Sequence, residues 1–521
     1  MIAPVSTARA IFTVFSSRIG PACRGGREQI MVPSTRVEGQ TALAQDLKLY
    51  IGGEWTDGTG DEVYELHSPA TGEHIANLPL ASTADIEQAV SAARSAQHEF
   101  RHWSAFERAE LCSRIATAVA TEVAEIARIQ TLEQGKPYQA ESLDDIAEAN
   151  QYFLNAAEDI KRLDGRVIPT SDRDKRMFTF HRPVGVWAAI TPWNFPVTSP
   201  LEYIGPGLAA GNAVIVKPPE FTPWSLLKLA EAFDAAGVPK GLVSIIPGGA
   251  SIGEALVTHD RIDAIGFTGS SATGKRILSQ MGVKRSIMEM SGNGPTIVAA
   301  DANVAAAAEL AVYGAYYNAG QVCCATERVI VVDAVHDEFV DLARKAATQV
   351  RLGDPFDAST TMGPLNNEPT AAKMDQHVAD AIERGAEVLT GGSRAAGYPT
   401  ELYYNFTMID RVPEDSLVSQ EETFGPVLPV LSARDDAEAV AIANRTRLGL
   451  QAAVFTSSLK KAFWYADRVR SGTVVVNDST DFWETFQPFG GAAGTDTGWG
   501  RGTIDDFTDQ QTVVFDLGNV Q

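Results

Sequence analysis

The chain has 521 residues, of which 45% are hydrophobic and 21% charged, and its formal net charge is −23 at pH 7. This is the composition of an ordinary globular protein that is long enough to form more than one domain. The negative charge argues against nucleic acid and anionic membrane surfaces, because both repel an acidic protein. No apolar run approaches the ~20 residues that a membrane-spanning helix needs. We therefore expect neither a nucleic acid nor a membrane as partner.

The N-terminal segment differs in composition from the rest of the chain. Its first 27 residues contain four arginines and no acidic residue. This is typical of a mitochondrial transit peptide, and a start codon assigned too far upstream of Met31 explains it equally well. Either explanation makes residues 1–45 an N-terminal extension outside the predicted fold. With four cysteines and no disulfide framework, a reducing compartment is expected: the cytoplasm, or alternatively the mitochondrial matrix.

The first predicted elements are one strand and a set of helices. Leu47–Trp55 alternates polar and apolar residues, as a half-buried strand does. Ser82, followed three residues later by Asp85, predicts the capped start of a helix. Apolar residues then recur at helical spacing over residues 105–133 and 141–162. These segments are predicted to be helices that cover a sheet.

From Val184 the pattern changes to short apolar strands that alternate with helical segments. Such alternation predicts a parallel sheet with helices on both faces. A second α/β series of the same kind begins near Gly292 and runs to about residue 475. The chain is therefore predicted to be an α/β protein. The predicted strands of the first series are Val184–Ile190, Ala213–Val216, Val243–Ile246, Ala264–Phe267 and Ser286–Met290.

Short motifs follow several of these predicted strands. Ligands of open α/β sheets bind just outside the carboxyl ends of the strands, so the motifs are candidates for a binding site. Gly248-Gly249 and Gly269-Ser270 precede predicted helices, whose free N–H groups attract phosphate. The G-x-G-x-x-G fingerprint of ordinary dinucleotide-binding folds is absent from the sequence. The motifs are Thr191–Pro196 (TPWNFP), Lys217–Glu220 (KPPE), Gly266–Ser270 (GFTGS) and Glu289–Gly292 (EMSG).

Cys323 and Cys324 stand side by side after Gln321 and Val322. Adjacent cysteines rarely bond to each other, and no metal-ligand spacing surrounds these two. Taken alone, the pair favours two small hydrophobic residues at a buried helix start. The neighbouring motifs favour a reactive thiol instead.

Six stretches, in this order along the chain, resemble the NAD(P)-dependent aldehyde dehydrogenase superfamily from about Leu47 to Val514. They are the four motifs above, GQVCCA around Cys323 and Glu421–Pro426 (EETFGP). The resemblance implies a Rossmann-type cofactor domain, an α/β catalytic domain and a small β oligomerisation element. The expected boundaries are 46–165 and 183–288 for the cofactor-binding domain, 289–476 for the catalytic domain, 166–182 and 505–521 for the oligomerisation element, and 477–504 for a C-terminal loop near the substrate entrance.

The resemblance implies the hydrolytic reaction, in which an aldehyde, NAD(P)⁺ and water give a carboxylate. By motif, Cys323 corresponds to the nucleophile, which passes through a thiohemiacetal and a thioester. The Asn194 amide and the Cys323 N–H would stabilise the oxyanion. Glu289 matches the general base that activates water. No metal is expected.

The resemblance also assigns a cofactor site. Because a Glu aimed at the ribose repels a 2′-phosphate, Glu220 favours NAD over NADP, although Lys217 could compensate. The residues carried over are Thr191, Pro192 and Trp193 along the site, Lys217 and Glu220 at the adenosine ribose, Gly248, Gly269 and Ser270 at the phosphates, and Glu422 and Phe424 at the nicotinamide ribose and ring.

The expected substrate contacts are Phe195, Glu202 and Phe489. Members that oxidise succinate semialdehyde resemble this chain but have Arg where Glu202 stands. Since a Glu repels a distal carboxylate, we expect a neutral, hydroxylated or cationic aldehyde rather than a short dicarboxylic semialdehyde. The alternative is that Glu202 turns away and pairs with an arginine elsewhere. A lengthened loop at 492–498, near the substrate mouth in the family, is a further departure from the common pattern.

Two alternatives to this reaction are weaker. A CoA-acylating dehydrogenase does not need Glu289, and an inactive binding protein does not need Cys323, Glu289 and Asn194 together. The resemblance also implies a homodimer or homotetramer. A polar hairpin predicted at 166–182 and an isolated strand predicted at Thr512–Phe515 would form its bridging part by adding to a partner's sheet edge.

Overall fold

The computed structural model describes residues 44–518, so the extension expected at residues 1–45 lies almost wholly outside it. The described residues form two seven-stranded and two three-stranded sheets. The strands in chain order are β1 (Gln45–Asp46), β2 (Leu49–Ile51), β3 (Glu54–Thr56), β4 (Val63–His67), β5 (His74–Pro79), β6 (Val167–Ile168), β7 (Lys175–Pro183), β8 (Val186–Ile190), β9 (Ala213–Lys217), β10 (Val243–Ile245), β11 (Ala264–Thr268), β12 (Arg285–Glu289), β13 (Gly294–Val298), β14 (Thr326–Val332), β15 (Glu387–Thr390), β16 (Thr407–Asp410), β17 (Val427–Ala433), β18 (Gln451–Phe455), β19 (Thr473–Val476) and β20 (Thr508–Asp516).

The α-helices of the described residues connect and cover these strands. None of them is long and apolar enough to cross a membrane. In chain order they are α1 (Thr83–Phe100), α2 (Ala105–Gln134), α3 (Leu143–Ala149), α4 (Gln151–Asp159), α5 (Thr198–Ala209), α6 (Trp224–Ala236), α7 (Ala250–Thr258), α8 (Ser271–Gln280), α9 (Val304–Tyr316), α10 (His336–Ala347), α11 (Glu368–Glu383), α12 (Leu417–Gln420), α13 (Asp436–Ala443) and α14 (Leu459–Ala466).

Local sequence sets the ends of the first two helices. The Ser82 hydroxyl accepts the Asp85 N–H while the Asp85 carboxylate accepts the Ser82 N–H, which is the predicted capping box of α1. Ser104 and Glu107 cap α2 in the same way. Helix α2 ends at Gly135, whose φ of 94° lies in the left-handed region that favours glycine.

The prediction of a single helix over residues 141–162 was wrong in one respect, because the helical segment is interrupted. A π-helical turn at Tyr138–Ser142 precedes α3, and α3 is separated from α4 at Asn150. The Asn150 amide donates to the main-chain oxygen of Ala116 in α2, at 2.9 Å. This tertiary hydrogen bond is invisible to apolar periodicity, which sees one continuous helix.

The first seven-stranded sheet has the order β12-β11-β8-β9-β10-β2-β3. Its strands from β12 to β10 are parallel, whereas β2 and β3 add antiparallel at one edge. Strands β8, β9 and β11 are buried almost throughout, which explains why they are continuous runs of apolar residues. All five strands predicted between residues 184 and 290 are present, with ends shifted by at most two residues.

The second seven-stranded sheet has the order β15-β16-β17-β14-β13-β18-β19. It is parallel except for β15, which pairs antiparallel with β16. The chain crosses from the first sheet to the second between Glu289, the last residue of β12, and Gly294, the first of β13. This short crossing places the carboxyl end of β12 beside the second sheet.

The two small sheets have the orders β1-β5-β4 and β20-β7-β6. Strands β6 and β7 form the polar hairpin that the sequence predicts at 166–182. The prediction of an isolated strand at Thr512–Phe515 was wrong. These residues belong to β20, which pairs antiparallel with β7 of the same chain from Thr508 to Asp516. Sequence alone does not reveal this pairing, because the two strands lie more than 300 residues apart.

Candidate active site

The carboxyl ends of neighbouring parallel strands gather the predicted motifs at one edge of the first sheet. Strand β8 leads into Thr191 and its motif, β9 ends at Lys217, β11 leads into Gly269, and β12 ends at Glu289. These strands are neighbours in the order β12-β11-β8-β9. The sheet therefore brings together motifs that are separated by up to about 100 residues of sequence.

The cysteine pair follows a tight turn after α9. Asn318, Ala319 and Gly320 all have left-handed backbone conformations, with φ of 49°, 52° and 72°. A Cβ atom on Gly320 would lie 2.2 Å from the main-chain oxygen of Gly425, so only glycine fits there. For Asn318 and Ala319 the conformation is strained, and such strain persists only where surrounding contacts enforce it.

Hydrogen bonds between side chains and main chain enforce this turn. Asn194 donates through Nδ2 to the main-chain oxygen of Gln321, at 2.9 Å. Asn318 donates through Nδ2 to the main-chain oxygen of Asn194 at 3.1 Å. Its Oδ1 atom accepts a hydrogen bond from Gln134 Nε2 at 2.9 Å. The Glu141 carboxylate accepts the Asn318 N–H. The network joins Asn194 to Gln321, which lies two residues before Cys323. Of the residues in the network, the sequence marked only Asn194 as a site residue.

The two cysteines have different surroundings. Cys323 is partly exposed, whereas Cys324 is 6% exposed. Cys324 packs in a small apolar cluster with Val322, Leu450 and Phe489. A hydrogen bond with Cys324, burial and the nearby Glu289 carboxylate together hold the Cys323 pKa well above its usual value. Cys323 is thus the more exposed of the two cysteines, and the one that a ligand can reach.

Glu289 is buried, with 4% of its surface exposed. Its Oε1 atom has no hydrogen-bond partner among residues 44–518. Burial raises the Glu289 pKa well above its usual value, and the carboxylates of Glu202 and Glu422 raise it further. A carboxylate in such surroundings is a stronger base than one in water, which suits proton abstraction.

The crossing after Glu289 passes directly against the cysteine turn. A Cβ atom on Gly292 would lie 1.9 Å from the main-chain oxygen of Cys323, so the two main chains are in close contact. The Gly292 N–H donates to Glu422 Oε1 at 3.0 Å. This contact brings the segments of Glu289, Cys323 and Glu422 together.

Phe424 and Trp193 form one wall of the same region. Their rings lie 5.5 Å apart, edge to face, at 87°. Phe424 has a left-handed φ of 61°, and the Glu327 carboxylate holds this conformation by accepting the N–H groups of Thr423 and Phe424. Burial raises the Glu327 pKa to about 8. Sequence reasoning missed Glu327, because nothing local marks it as the support of a distant turn.

Polar groups around Lys217 lie at the carboxyl ends of neighbouring strands of the first large sheet. Lys217 Nζ lies 3.9 Å from Glu220 Oε2, and burial lowers the Lys217 pKa. The Thr191 hydroxyl oxygen is buried without a hydrogen-bond partner in the described part of the chain. Gly249 immediately precedes α7 and has no side chain that could cap the N–H groups at the start of this helix. These groups leave a cation, an acceptor and free donors for a ligand.

Two of the three predicted phosphate contacts, Ser270 and Gly248, differ from each other. Ser270 is exposed and already caps α8, because its hydroxyl accepts the Thr273 N–H at 3.3 Å. Gly248 is buried, and a Cβ atom there would lie 2.7 Å from Ile252. No group of three or more His, Cys, Asp or Glu side chains within residues 44–518 is arranged to hold a metal ion.

Aromatic residues surround the open side of Cys323. Phe195 and Trp483 pack against the apolar cluster of Cys324, and Phe489 belongs to it. Behind Phe195, Lys136 Nζ lies 3.9 Å from the ring centroid and forms a buried ion pair with Asp145. Nothing in the sequence separates Lys136 from an ordinary lysine at a helix end, so this support was missed.

Glu202 faces the aromatic region through Tyr152. The Tyr152 hydroxyl donates to Glu202 Oε1 at 2.8 Å, and the rings of Tyr152 and Trp483 lie 5.8 Å apart. Burial raises the Glu202 pKa, while attraction to Arg501 and the Tyr152 hydrogen bond oppose this. The Arg501 guanidinium lies 5.2 Å from the Tyr152 ring. Glu202 therefore takes its hydrogen bond from a tyrosine, with an arginine close by.

The site brings a partly exposed cysteine, a buried carboxylate and a side-chain amide together at the carboxyl edge of the first large sheet. The sequence model of the Aldehyde dehydrogenase family matches residues 55–513. The chain belongs to the aldehyde dehydrogenase family, and its enzyme class is that of the NAD(P)-dependent aldehyde dehydrogenases.

Three comparisons illustrate the relationship. The chain is 37% identical to a glutarate-semialdehyde dehydrogenase from Pseudomonas aeruginosa, over 85% of this chain and 91% of the relative. It is 36% identical to an NADP(+) succinate-semialdehyde dehydrogenase from Escherichia coli, over 85% and 91%. The NAD+ complex structure of an aldehyde dehydrogenase from Bacillus cereus superposes with a TM-score of 0.87 at 34% identity, over 91% and 97%.

These relatives leave two finer expectations open. The expectation that a short dicarboxylic semialdehyde is not the substrate finds no support in them and is mildly at odds with the two semialdehyde dehydrogenases. The preference for NAD is unresolved, because both cofactors occur among the relatives.

Proposed function

We propose that the protein oxidises an aldehyde to its carboxylate with NAD⁺ and water, through covalent attachment of the substrate to Cys323. The observation that carries this proposal is that the chain segments of Asn194, Cys323 and Glu289 meet between the two large sheets. The turn before Cys323 is bonded to Asn194, and the crossing after Glu289 lies against the Cys323 main chain. Family membership supports the class of reaction.

In the first half of the reaction, the Cys323 thiol loses its proton to solvent and the resulting thiolate sulfur adds to the aldehyde carbon. The oxygen of this carbon becomes an oxyanion, and the Asn194 amide and the Cys323 N–H are the donors proposed to stabilise it. An Asn amide has two N–H donors, of which Asn194 uses one for the Gln321 oxygen. A bound NAD(P)⁺ would supply the acceptor for the hydride of this carbon.

In the second half, Glu289 removes a proton from water so that the thioester on Cys323 is hydrolysed. The raised pKa of Glu289 makes its ionised form a better base. The same shift means that Glu289 must lose a proton before it can act. Hydrolysis is therefore proposed to become faster as pH rises through this pKa.

Glu220 supports a preference for NAD over NADP. A carboxylate near the ribose repels a 2′-phosphate. Lys217 could offset that repulsion, but its nearest acidic partner is Glu220 itself, at 3.9 Å. The residues proposed to hold the rest of the cofactor are Thr191, Pro192, Trp193, Gly248, Gly269, Ser270, Glu422 and Phe424.

Glu202 supports an aldehyde without a distal carboxylate as substrate. Its carboxylate stands at the aromatic region beside Tyr152, where a substrate carboxylate would be repelled. A second candidate is a semialdehyde with a distal carboxylate. The names of the relatives favour it, and so does Arg501, whose Nη2 atom is buried without a partner among the described residues.

A homodimer or homotetramer is the proposed assembly. Within residues 44–518, both edges of the sheet β20-β7-β6 are unpaired, and exposed apolar residues lie along it, with Val167 at 72% and Phe515 at 51% exposure. Light scattering of the purified protein tests this proposal, and a monomer would contradict it.

One assay tests the reaction and the substrate. The purified protein is given succinate semialdehyde, glutarate semialdehyde, and uncharged and cationic aldehydes, each with NAD⁺ or NADP⁺ and with or without CoA, while absorbance of the reduced cofactor is followed. CoA-independent formation of NADH supports the proposal. Strict dependence on CoA or inactivity with every aldehyde refutes it. Comparable turnover of succinate semialdehyde and an uncharged aldehyde refutes the role of Glu202.

A further inference from the structure

The chain between Asp496 and Gly500, here called the edge segment, lies along the outer side of β12, which is the edge strand of the first large sheet. The Gly500 N–H donates to the main-chain oxygen of Met288 at 2.8 Å, and the Met290 N–H donates to the main-chain oxygen of Thr497 at 2.8 Å. These two hydrogen bonds bracket the last residue of β12, which is the proposed general base. The edge segment therefore holds the main chain on both sides of that residue.

The Thr497 side chain adds two further hydrogen bonds. Its hydroxyl donates to the main-chain oxygen of Ser291 and accepts the Gly449 N–H, each at 3.0 Å. Thr497 is fully buried, with 0% exposure. Thr497 thus binds both residues that follow Glu289 and connects them to the chain that enters β18.

Asp496 anchors the edge segment to both large sheets. Its carboxylate pairs with Lys275 of α8 at 2.6 Å and with Arg447, in the connection before β18, at 2.8 Å. Ser271, the first residue of α8, donates its hydroxyl to the main-chain oxygen of Asp496 at 2.6 Å. Asp496 therefore joins α8, a helix that packs beside the first large sheet, to the connection that enters the second large sheet.

The contacts involve the lengthened loop 492–498, where the sequence departs from the common family pattern. A Cβ atom on Gly498 would lie 2.3 Å from the Met288 oxygen, so the loop approaches β12 as closely as a main chain can. The main chain of the lengthened loop therefore packs directly against β12.

We propose that Thr497 is a positioning residue for thioester hydrolysis, because its hydroxyl fixes the main chain that carries Glu289. The inference rests on the proposed function. In the hydrolytic step, water bonds through its oxygen to the thioester carbonyl carbon and gives a proton to the Glu289 carboxylate. The bond between carbon and sulfur then breaks, so that the carboxylic acid leaves and Cys323 is released as a thiolate.

Misplacement of Glu289 slows this step and spares formation of the thioester, which does not use water. A displacement of about 1 Å at a reacting group can cost ~10²-fold in rate. Loss of the Thr497 hydroxyl therefore makes hydrolysis rate-limiting, and the thioester accumulates on Cys323.

The test compares Thr497→Val with a matched control, Thr495→Val. The first change removes the two hydroxyl bonds and keeps the shape of the side chain. The second removes only a bond from Thr495 to Ala492 within the same loop, at 2.7 Å. For each variant we would measure the burst of reduced cofactor, the steady-state rate, and by quenched mass spectrometry the acyl group on Cys323.

We expect Thr497→Val to keep the burst, to lose ~10- to 100-fold in steady-state rate and to accumulate acyl-enzyme. Thr495→Val should behave as wild type, and Thr497→Ser should restore the rate to within a few-fold of wild type. Without cofactor or substrate, the Met290 amide should exchange hydrogen faster in Thr497→Val than in Thr495→Val.

Equal losses in burst and steady-state rate, or an unchanged rate, would overturn the inference. If wild type forms no acyl-enzyme with any aldehyde, the proposed function itself has failed. If Thr497→Val does not fold, Asp496→Asn replaces it, because it removes only the ion pairs that anchor the segment. We then expect a ~2- to 5-fold slower steady state with an intact burst, and an unchanged steady state would overturn the inference.

Discussion

Asn194 and Gln321 are joined by a hydrogen bond of 2.9 Å from the Asn194 amide to the Gln321 main-chain oxygen. The bond links the turn after β8 in the first sheet to the turn before Cys323, which lies three residues ahead of strand β14 in the second sheet. It therefore holds the proposed oxyanion donor at a fixed place relative to the proposed nucleophile.

Replacing Asn194 by Ala should lower kcat/KM by about 10²- to 10³-fold, because one oxyanion donor is lost. Steady-state kinetics with the best aldehyde of the panel measures the change. Circular dichroism should show an unchanged fold. A loss smaller than tenfold would mean that Asn194 only supports the turn.

The two cysteines should differ sharply when replaced by serine. We expect Cys323→Ser to abolish turnover, because a hydroxyl at that position is a poor nucleophile without a base to activate it. Cys324→Ser should retain most of the activity, since Cys324 is a buried packing neighbour. The measurement is NADH formation together with labelling of the remaining cysteine by the aldehyde, and the reverse order of activities would overturn the assignment.

Glu202→Gln should shift the pH dependence of hydrolysis. Among nearby charges, Glu202 is the largest contributor to the raised Glu289 pKa. Removing its negative charge makes ionisation of Glu289 easier, so the Glu289 pKa falls and the acidic limb of the pH–rate profile moves to lower pH. An unmoved or oppositely shifted limb would argue against coupling of the two carboxylates. Glu231→Gln, on the exposed face of α6, is the control.

Glu220→Gln should improve the use of NADP⁺. Removing one charge near the ribose phosphate is worth about one tenfold step in the ratio of kcat/KM for NADP⁺ over NAD⁺. The ratio is measured with one aldehyde at fixed ionic strength. No change in it would place Glu220 away from the ribose.

Lys136→Met should destabilise the protein by about 3–5 kcal/mol, because it leaves the charge of Asp145 buried without its partner. The pair is almost completely buried, with side-chain exposures of 0% and 4%. Lys161→Met breaks an exposed pair with Glu158 and should cost no more than about 1 kcal/mol. Denaturant unfolding compares the two variants, and similar losses would show that burial of the first pair has no energetic consequence.

Sequence predicted the parts of the fold whose signal is local. The strands β8 to β12 were predicted because both of their faces are buried, which leaves continuous apolar runs. The break at Asn150 and the pairing of β20 with β7 were missed, because each depends on a partner remote in sequence.

The candidate site divides in the same way. Cys323, Glu289 and Asn194 stand in recognisable motifs, so their place could be predicted. Glu327, Lys136 and Thr497 support the site through hydrogen bonds and ion pairs across the fold, and no spacing along the chain reveals them.

The pairing of β20 with β7 has a consequence for synthesis of the protein. Thr508 of β20 pairs with Pro183 of β7, so the hairpin is made long before the strand that completes its sheet. At ~5–20 residues per second, the hairpin waits on the order of tens of seconds on the ribosome. Lys175, Arg176 and Arg182 give the waiting edge positive charge, which opposes pairing with another nascent chain. We therefore expect the basic residues of β7 to disfavour pairing between unfinished chains.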